Sequence, residues 1–226
     1  GHAVWCAREI VGNEPFAVLL PDVLVKAQRS CLGQMVDAYN ALGGKSNVIA
    51  VEEVPQDKVH MYGIVGKGKE HGKDKGNAFE ITQMVEKPKK EDAPSNLSIT
   101  GRYILQPEIF DVLATQEKGA GGEIQLTDAM IALAKKQPFY GVKFSGTSYD
   151  CGSKIGFLAA NVAYASATAT SAGSANTDAD GYYALPLMWG DRVMGWGNLA
   201  VVSGRLVPSF GYVARSAPKA PAFRRA

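Results

Sequence analysis

The sequence of 226 residues has no long apolar run, few cysteines and histidines, and no dominant charge of one sign. A membrane-spanning helix needs about 18 or more consecutive apolar residues, and no segment approaches that length. We therefore expect no membrane partner. The first residues lack the pattern of a secretory signal peptide and are typical of a folded domain.

Metal-binding and disulfide patterns are also missing. The three cysteines are far apart and include no CxxC pair, which favours reduced thiols in a cytoplasmic protein over disulfides or a zinc site. The three histidines form no ligand-spaced set with them. These residues are Cys6, Cys31, Cys151, His2, His60 and His71.

The net charge of +2 is too small to indicate a nucleic-acid partner for the whole chain. Its distribution is uneven, however. Residues 1–166 contain 18 Lys and Arg against 19 Asp and Glu, whereas residues 167–226 contain 6 against 3. With 46% hydrophobic residues the chain can bury a large core, and its length fits one large domain or two small ones.

Strand and helix patterns alternate along residues 1–165 and predict an α/β fold. Residues 16–22 form a short apolar run that ends in a carboxylate, which is typical of a buried strand in a parallel sheet. A helical pattern over 26–42 ends at Gly43 and Gly44, and a second strand follows over 48–54. Further strands are predicted at 61–65, 79–87, 99–105 and 139–144, and helices at 107–114, 123–136 and 155–165, the last packing Phe157, Leu158 and Val162.

Three segments are predicted to lie outside this domain or between its strands. Residues 66–77 are rich in Gly and Lys but match no phosphate-binding motif, so an exposed hairpin loop is favoured. Residues 166–179 are predicted to be a low-complexity linker. Beyond them, 180–226 is predicted to be a small β-rich piece, with a hairpin over Gly190 and Asp191 and a strand at 205–213.

Two aspartates are candidate metal ligands. Asp22 follows a predicted strand, and Asp150 lies between a predicted strand and a helix, so both can reach the sheet edge where ligands bind in α/β folds. Two carboxylates meeting there could hold a Mg²⁺ that binds phosphate oxygens. Taken alone, the spacing favours a turn residue for Asp22 and a helix N-cap for Asp150.

Glu86 and Lys87 are candidate substrate-binding residues. Adjacent residues of an extended strand point to opposite faces, so one could bind sugar hydroxyls while the other meets a phosphate. Because charged residues follow at 89–92, a solvated strand end is the alternative.

Seven segments in a fixed order carry a family signature. They are GHAVWCA, VGNEPFAVLLPD, IAVEEVP, YGIV, MVEKPKKEDAPSNLSITGRYIL, GAGGEIQLTDA and YDCGSKIGFLAANV. Together they resemble the bacterial UTP–glucose-1-phosphate uridylyltransferases (UDP-glucose pyrophosphorylases), which are sugar nucleotidyltransferases. The resemblance spans residues 1 to about 165 and implies a partial Rossmann-like sheet with flanking helices.

The resemblance implies a role for each matching residue. Asp22 and Asp150 match the aspartates that hold the catalytic Mg²⁺, and Lys87 matches the residue that contacts the sugar phosphate; Asp22 and Lys87 are the expected catalytic residues. Glu86 matches the residue that binds the glucose hydroxyls. Further matches are Gly63 beside the hexose, Gly1 and His2 beside the uracil, and Gly101 and Glu123 within family motifs.

The implied reaction is attack of a glucose 1-phosphate oxygen on the α-phosphorus of UTP, which releases pyrophosphate and forms UDP-glucose. The family also implies a homo-oligomer. However, the N-terminal strand and glycine-rich triphosphate loop of the family have no counterpart in this sequence. A sheet without its first strand would expose an apolar edge. We therefore expect this chain to have little or no activity and a tendency to aggregate.

The segment 180–226 resembles the C-terminal part of the crosslink-repair DNA glycosylases that contain a winged helix, mainly through YYALPLMWGDRVMGW. Its aromatic and arginine side chains could stack on bases and contact phosphates. The more common arrangement is a small core with a solvated rim. A DNA-associated module is the alternative to the uridylyltransferase function. The aromatic and arginine side chains of this segment are Trp189, Trp196, Tyr212, Arg205, Arg215, Arg224 and Arg225.

Overall fold

The computed structural model describes residues 1–72, 77–116, 122, 124–170, 188–189, 192–193 and 198–201, with the backbone alone in 165–170 and the last three ranges. The helices in these ranges are α1 (His2–Cys6), α2 (Arg8–Val11), α3 (Cys31–Ala41), α4 (Ile109–Thr115), α5 (Leu126–Ala134) and α6 (Lys154–Thr170). Short 3₁₀ turns lie at Val59–Met61 and Lys90–Asp92. The strands are β1 (Phe16–Leu19), β2 (Val23–Lys26), β3 (Asn47–Glu53), β4 (Gly63–Glu70), β5 (Ala78–Glu86), β6 (Leu97–Leu105), β7 (Phe139–Lys143), β8 (Thr147–Asp150), β9 (Met188–Trp189), β10 (Arg192–Val193) and β11 (Asn198–Val201).

The main sheet is mixed rather than parallel. Its strand order is β11-β1-β6-β3-β7-β5-β4. Only the β3–β7 pair is parallel among the described pairings, and β6 lies antiparallel to both β1 and β3. The strands β1 and β3 therefore run in the same direction, as a β-α-β unit requires, but β6 separates them. The predicted α/β class is confirmed, and the predicted parallel setting of β1 is wrong.

The side chains of the sheet alternate between two apolar layers, as the pleat of a strand dictates. One layer packs against α1, α4 and α5, and the other packs against α3. Each fully buried large apolar side chain stabilises the fold by about 1.5–3 kcal/mol. The first layer includes Phe16, Ile49, Tyr103 and Leu105, and the second includes Met35, Val48, Ile104 and Val142.

A second, two-stranded ribbon lies outside the main sheet. It consists of β2 and β8, paired antiparallel, and we call it the β2–β8 ribbon. The sequence prediction assigned Lys26 to the following helix, but α3 begins only at Cys31, where the Ser30 hydroxyl accepts the Gly33 N–H at 3.0 Å as an N-cap. All four residues of β2 are half-buried, so they lack the alternation that marks a strand in sequence.

Helix α6 differs from its prediction in length and in packing. It continues to Thr170, which is five residues into the predicted linker. Leu158 and Val162 were expected to pack, yet they are 65% and 59% exposed, because nothing in the described part of the chain covers that face; Phe157 is half-buried. No helix in the described ranges is both long and apolar enough to cross a lipid bilayer.

The C-terminal segment contributes three short strands to the described structure. β9 and β10 pair antiparallel, with Trp189 opposite Arg192, as the predicted hairpin requires. β11 pairs antiparallel with the edge of β1, with Ala200 opposite Ala17, so the edge that was expected to stay open carries a strand. The expected strand at 205–213 and the rest of the expected linker lie outside the described residues.

Gly101 in β6 provides a test of how tightly the segment before β2 packs on the sheet. Its φ is +73°, and a Cβ there would lie 2.9 Å from Leu20 Cδ1. Gly43 has φ +91° but open space around it. We expect Gly43→Ala to cost about 1–2 kcal/mol for the left-handed backbone, and Gly101→Ala to cost about 1–3 kcal/mol more for overpacking. Urea denaturation followed by circular dichroism measures both, and equal losses would contradict the close approach.

Candidate active site

The β2–β8 ribbon brings together two aspartates that are far apart in sequence. Its register places Val23 opposite Asp150, and Asp22 directly precedes Val23. The Cys151 N–H donates a hydrogen bond to the Asp22 carbonyl at 2.6 Å, which extends the pairing past the end of β8. Because a β ladder fixes which residues face each other, the relative position of these two aspartates is set by the backbone.

The two carboxylates meet beside Gly152. The position that a Cβ would take at Gly152 lies 3.1 Å from Asp150 Oδ1 and 3.8 Å from Asp22 Oδ2. The Gly152 N–H also donates to Asp150 Oδ1 at 3.0 Å. Both aspartates are exposed. The expected convergence of Asp22 and Asp150 at one rim is therefore present, and the absence of a side chain at Gly152 leaves space next to it.

Asp150 is not the N-cap of α6. The Ser153 hydroxyl accepts the Gly156 N–H at 3.1 Å, which is the capping contact of this helix. The Asp150 side chain accepts the Gly152 N–H instead, as aspartates commonly do in a turn. The alternative interpretation of Asp150 is thus wrong, whereas Asp22 does lie in the turn between β1 and β2.

Glu86 is the last residue of β5 and lies over Gly63 of β4. The two residues are paired across the strands, and a Cβ at Gly63 would be only 3.1 Å from Glu86 Oε2. The Thr127 hydroxyl of α5 donates to the same oxygen at 3.0 Å. Glu86 is exposed, but its carboxylate is therefore held in place by a strand on one side and a helix on the other.

Lys87 has a left-handed backbone, with φ +46°. Its N–H donates to the Tyr62 carbonyl at 3.0 Å, and its side chain is exposed. The strand ends at Glu86, so the expectation that Glu86 and Lys87 point to opposite faces of one extended strand is wrong. A lysine in this conformation is strained by about 1–2 kcal/mol, and such strain is found often at functional sites.

Sequence reasoning did not single out Tyr103, a buried residue of β6 that interacts electrostatically with both Glu86 and Asp22. Burial raises the pKa of the Tyr103 phenol above its ordinary value, and the Glu86 and Asp22 carboxylates raise it further. The ring is only 6% exposed. Both carboxylates therefore disfavour ionisation of the same buried phenol in β6.

The N-terminal candidates approach the site from α1. Gly1 packs against the backbone of Ile124, since a Cβ at Gly1 would lie 2.5 Å from the Ile124 carbonyl oxygen. Ile124 is close in sequence to Thr127, which holds Glu86. His2 is exposed and lies near its own helix neighbours, with its ring 6.1 Å from that of Trp5. Glu123 lies outside the described residues.

No cluster of three or more acidic, histidine or cysteine side chains that could hold a metal occurs among the described residues. A surface depression of about 250 Å³ lies elsewhere, between α2 and the start of α4, and its lining contains no candidate site residue. The side chains of Asp22, Asp150, Glu86 and Lys87 are all exposed.

Residues 1–167 match the nucleotidyl transferase family model. The chain belongs to the nucleotidyl transferase family. The mixed sheet with helices on both faces is the fold of that family.

Curated relatives within this nucleotidyl transferase family are UTP–glucose-1-phosphate uridylyltransferases. That of Komagataeibacter xylinus is 52% identical over 154 residues, which are 68% of this chain and 52% of the relative. That of Staphylococcus epidermidis is 47% identical over 165 residues, which are 73% of this chain and 55% of the relative. The chain thus spans about half the length of the curated relatives it matches.

Solved structures give the same relationship. A UDP-glucose pyrophosphorylase complexed with UDP-glucose aligns with a TM-score of 0.67 and 39% identity over 74% of this chain and 61% of that chain. The UTP-bound enzyme of Acinetobacter baumannii aligns with a TM-score of 0.62 and 40% identity over 72% of this chain and 55% of that chain. None of these similarities supports the alternative of a DNA-associated module, and the likeness of residues 180–226 to a glycosylase stays a prediction.

The strain at Lys87 can be separated from the function of its ammonium group. We expect Lys87→Gly to be about 1 kcal/mol more stable than Lys87→Ala, because glycine adopts a left-handed φ without penalty. Both variants remove the same charge, so they should lose the same affinity for UDP-glucose. Urea denaturation and isothermal titration calorimetry measure the two effects.

Lys89 provides the matched control, since it is exposed and has φ −63°. There the order of stability should reverse, with glycine below alanine, and UDP-glucose affinity should not change. If Lys87→Gly were no more stable than Lys87→Ala, the left-handed backbone at Lys87 would be wrong.

Proposed function

We propose that this protein is a UTP–glucose-1-phosphate uridylyltransferase, which forms UDP-glucose and pyrophosphate from UTP and glucose 1-phosphate. The observation that carries the proposal is that the Asp22 and Asp150 carboxylates both lie beside Gly152. Family membership and the names of the relatives support the substrate class. This chain supplies the part of the enzyme that binds the sugar and the metal.

Asp22 and Asp150 are the proposed ligands of Mg²⁺. The donor set fits, because Mg²⁺ prefers carboxylate oxygens and is usually held by one or two of them together with phosphates and water. Both carboxylates are exposed, so those further ligands have access. When bound, Mg²⁺ supplies positive charge that offsets the charge of the phosphates.

Glu86 is proposed to accept hydrogen bonds from the glucose hydroxyls. Its Oε2 is already held by Thr127, and the missing Cβ at Gly63 keeps the space beside it free for a ring. Lys87 follows directly, and its exposed ammonium is proposed to contact the sugar phosphate. Gly1 and His2 are proposed to lie beside the uracil, as the family resemblance implies.

The chemistry then depends mainly on positioning. The nucleophile is a phosphate oxygen of glucose 1-phosphate, which is ionised already, so no general base is required. The new bond forms to the α-phosphorus of UTP while the bond to pyrophosphate breaks in line with it. Glu86 fixes the sugar and Lys87 balances the developing charge, and holding two reactants in such a geometry can supply a large part of the rate enhancement.

The proposed function is tested by UDP-glucose binding to the full chain with and without Mg²⁺, measured by isothermal titration calorimetry. We expect Mg²⁺ to strengthen binding in the wild type. Asp22→Asn and Asp150→Asn should each weaken the Mg²⁺-dependent binding about tenfold, or about 1.4 kcal/mol. Asp37→Asn is the matched control, because Asp37 is an exposed aspartate paired with Arg29 at 2.9 Å. If all three variants behaved alike, the metal site would be wrong.

The role of Thr127 gives an independent prediction about the sugar site. Thr127→Val keeps the shape of the side chain but removes the hydroxyl that holds Glu86. We expect UDP-glucose affinity to fall about threefold to tenfold, since a hydrogen bond to a charged group is lost. Thr115→Val is the control, because that hydroxyl is on the exposed end of α4 and bonds to carbonyls of its own helix. Equal affinities in both variants would contradict the proposed contact.

A further inference from the structure

Arg102 of β6 is a charged side chain inside the protein. It is 8% exposed, and burial lowers the pKa of its guanidinium from the ordinary value. Its Nη2 donates to the Val23 carbonyl at 2.7 Å. Its Nη1 is buried and has no hydrogen-bond partner in the described part of the chain. Arginines are rarely buried in this way unless they are paired, so this one needs an explanation.

The Val23 carbonyl belongs to the short segment that carries Asp22. That segment is attached to β6 at both ends: the Leu20 N–H donates to the Gly101 carbonyl at 2.9 Å, and the Val23 carbonyl accepts from Arg102. Asp22 lies between these two hydrogen bonds. Arg102 is therefore the side chain that fastens the beginning of the β2–β8 ribbon to the main sheet.

The charge of Arg102 also interacts electrostatically with Asp22. Three side chains act electrostatically on its guanidinium, namely Cys31, Tyr164 and Asp22, and Asp22 is the carboxylate among them. Burial raises the pKa of the Cys31 thiol to about 11, so that thiol is neutral at physiological pH. The buried positive charge thus interacts with the acidic residue that directly precedes Val23, whose carbonyl Arg102 binds.

Stability alone does not explain an arginine at this position. A buried charge with an unsatisfied N–H group is unfavourable, and well-packed apolar residues often replace buried ionic groups without loss of stability. A lysine would provide a single point donor, whereas the planar guanidinium keeps a fixed orientation between β6 and the ribbon. What Arg102 provides is a defined position for the segment that contains Asp22.

We propose that Arg102 is a positioning residue that holds the Asp22 segment against β6 and thereby sets the affinity of the Asp22–Asp150 pair for a divalent cation. This inference rests on the proposed function, because it assumes that the pair binds a metal. Arg102 itself does not touch the cation. Its effect is exerted through the main chain of Val23 and through its charge near Asp22.

The test measures Mn²⁺ binding to the full chain by electron paramagnetic resonance, with Mn²⁺ as the probe ion. Arg102→Met removes the guanidinium and keeps a long side chain. Ile104→Val is the matched control, because Ile104 is fully buried in the same strand, two residues away on the same face. Melting temperatures measured by circular dichroism show how much each variant loses in general stability.

We expect Arg102→Met to raise the Mn²⁺ dissociation constant at least fivefold at a temperature where this variant is folded. Ile104→Val should leave the dissociation constant unchanged, even if its melting temperature falls as much as that of Arg102→Met. A merely structural role would lower the melting temperature of both and move neither dissociation constant. Equal dissociation constants for the two variants would overturn the inference.

Two further variants keep the outcomes separate. If Arg102→Met does not fold, Arg102→Lys takes its place; we expect a dissociation constant about threefold above that of Ile104→Val, and an equal value would overturn the inference. Asp22→Asn tests the proposed metal site itself. If Asp22→Asn binds Mn²⁺ like the wild type, both the proposed metal site and the inference about Arg102 are wrong. If Asp22→Asn loses Mn²⁺ affinity but the Arg102 variants do not, only the inference about Arg102 is wrong.

Discussion

The antiparallel pairing of Val23 with Asp150 is the contact on which the candidate site depends. It joins two segments from opposite ends of the nucleotidyl transferase domain, so closing it costs considerable chain entropy. The four residues of β2 are too few and too little buried to offset that cost alone. Contacts with the main sheet support the ribbon, for example the hydrogen bond from the Ser148 hydroxyl to Glu52 at 2.6 Å, and the ribbon brings the two carboxylates together.

Strand β6 supports the candidate site through three consecutive residues, each of which interacts with the site differently. Gly101 allows close approach of the segment before β2, Arg102 fastens Val23 from one face of the sheet, and Tyr103 lies near Asp22 and Glu86 on the other face. Alternation along a strand makes this division possible, because neighbouring side chains point to opposite sides. Strand β6 is therefore linked both to the segment that carries Asp22 and to Glu86.

Features that depend on local sequence pattern could be predicted, whereas features that depend on contacts with distant parts of the chain were missed. Asp22 was expected at a strand end because an apolar run stops there, and Asp150 was expected between a strand and a helix, whereas strand β8, which ends at Asp150, was not predicted. Helical spacing marked Leu158 and Val162 as an apolar face, but spacing cannot tell whether another element covers it. The backbone of Lys87 and the burial of Arg102 could not be foreseen, since each follows from long-range contacts: a hydrogen bond to Tyr62 in one case and to Val23 in the other.

Several unfavourable features of the described structure lie close to this rim. Lys87 has a strained backbone, Asp22 and Asp150 bring like charges together, and Arg102 is a buried cation with an unsatisfied N–H group. Proteins keep such local costs mainly at functional sites, where a ligand removes part of them. A divalent cation between the carboxylates would reverse their repulsion, and an anionic sugar nucleotide would face Lys87. The repulsion between Asp22 and Asp150 is thus a cost of the free protein that a bound metal would remove.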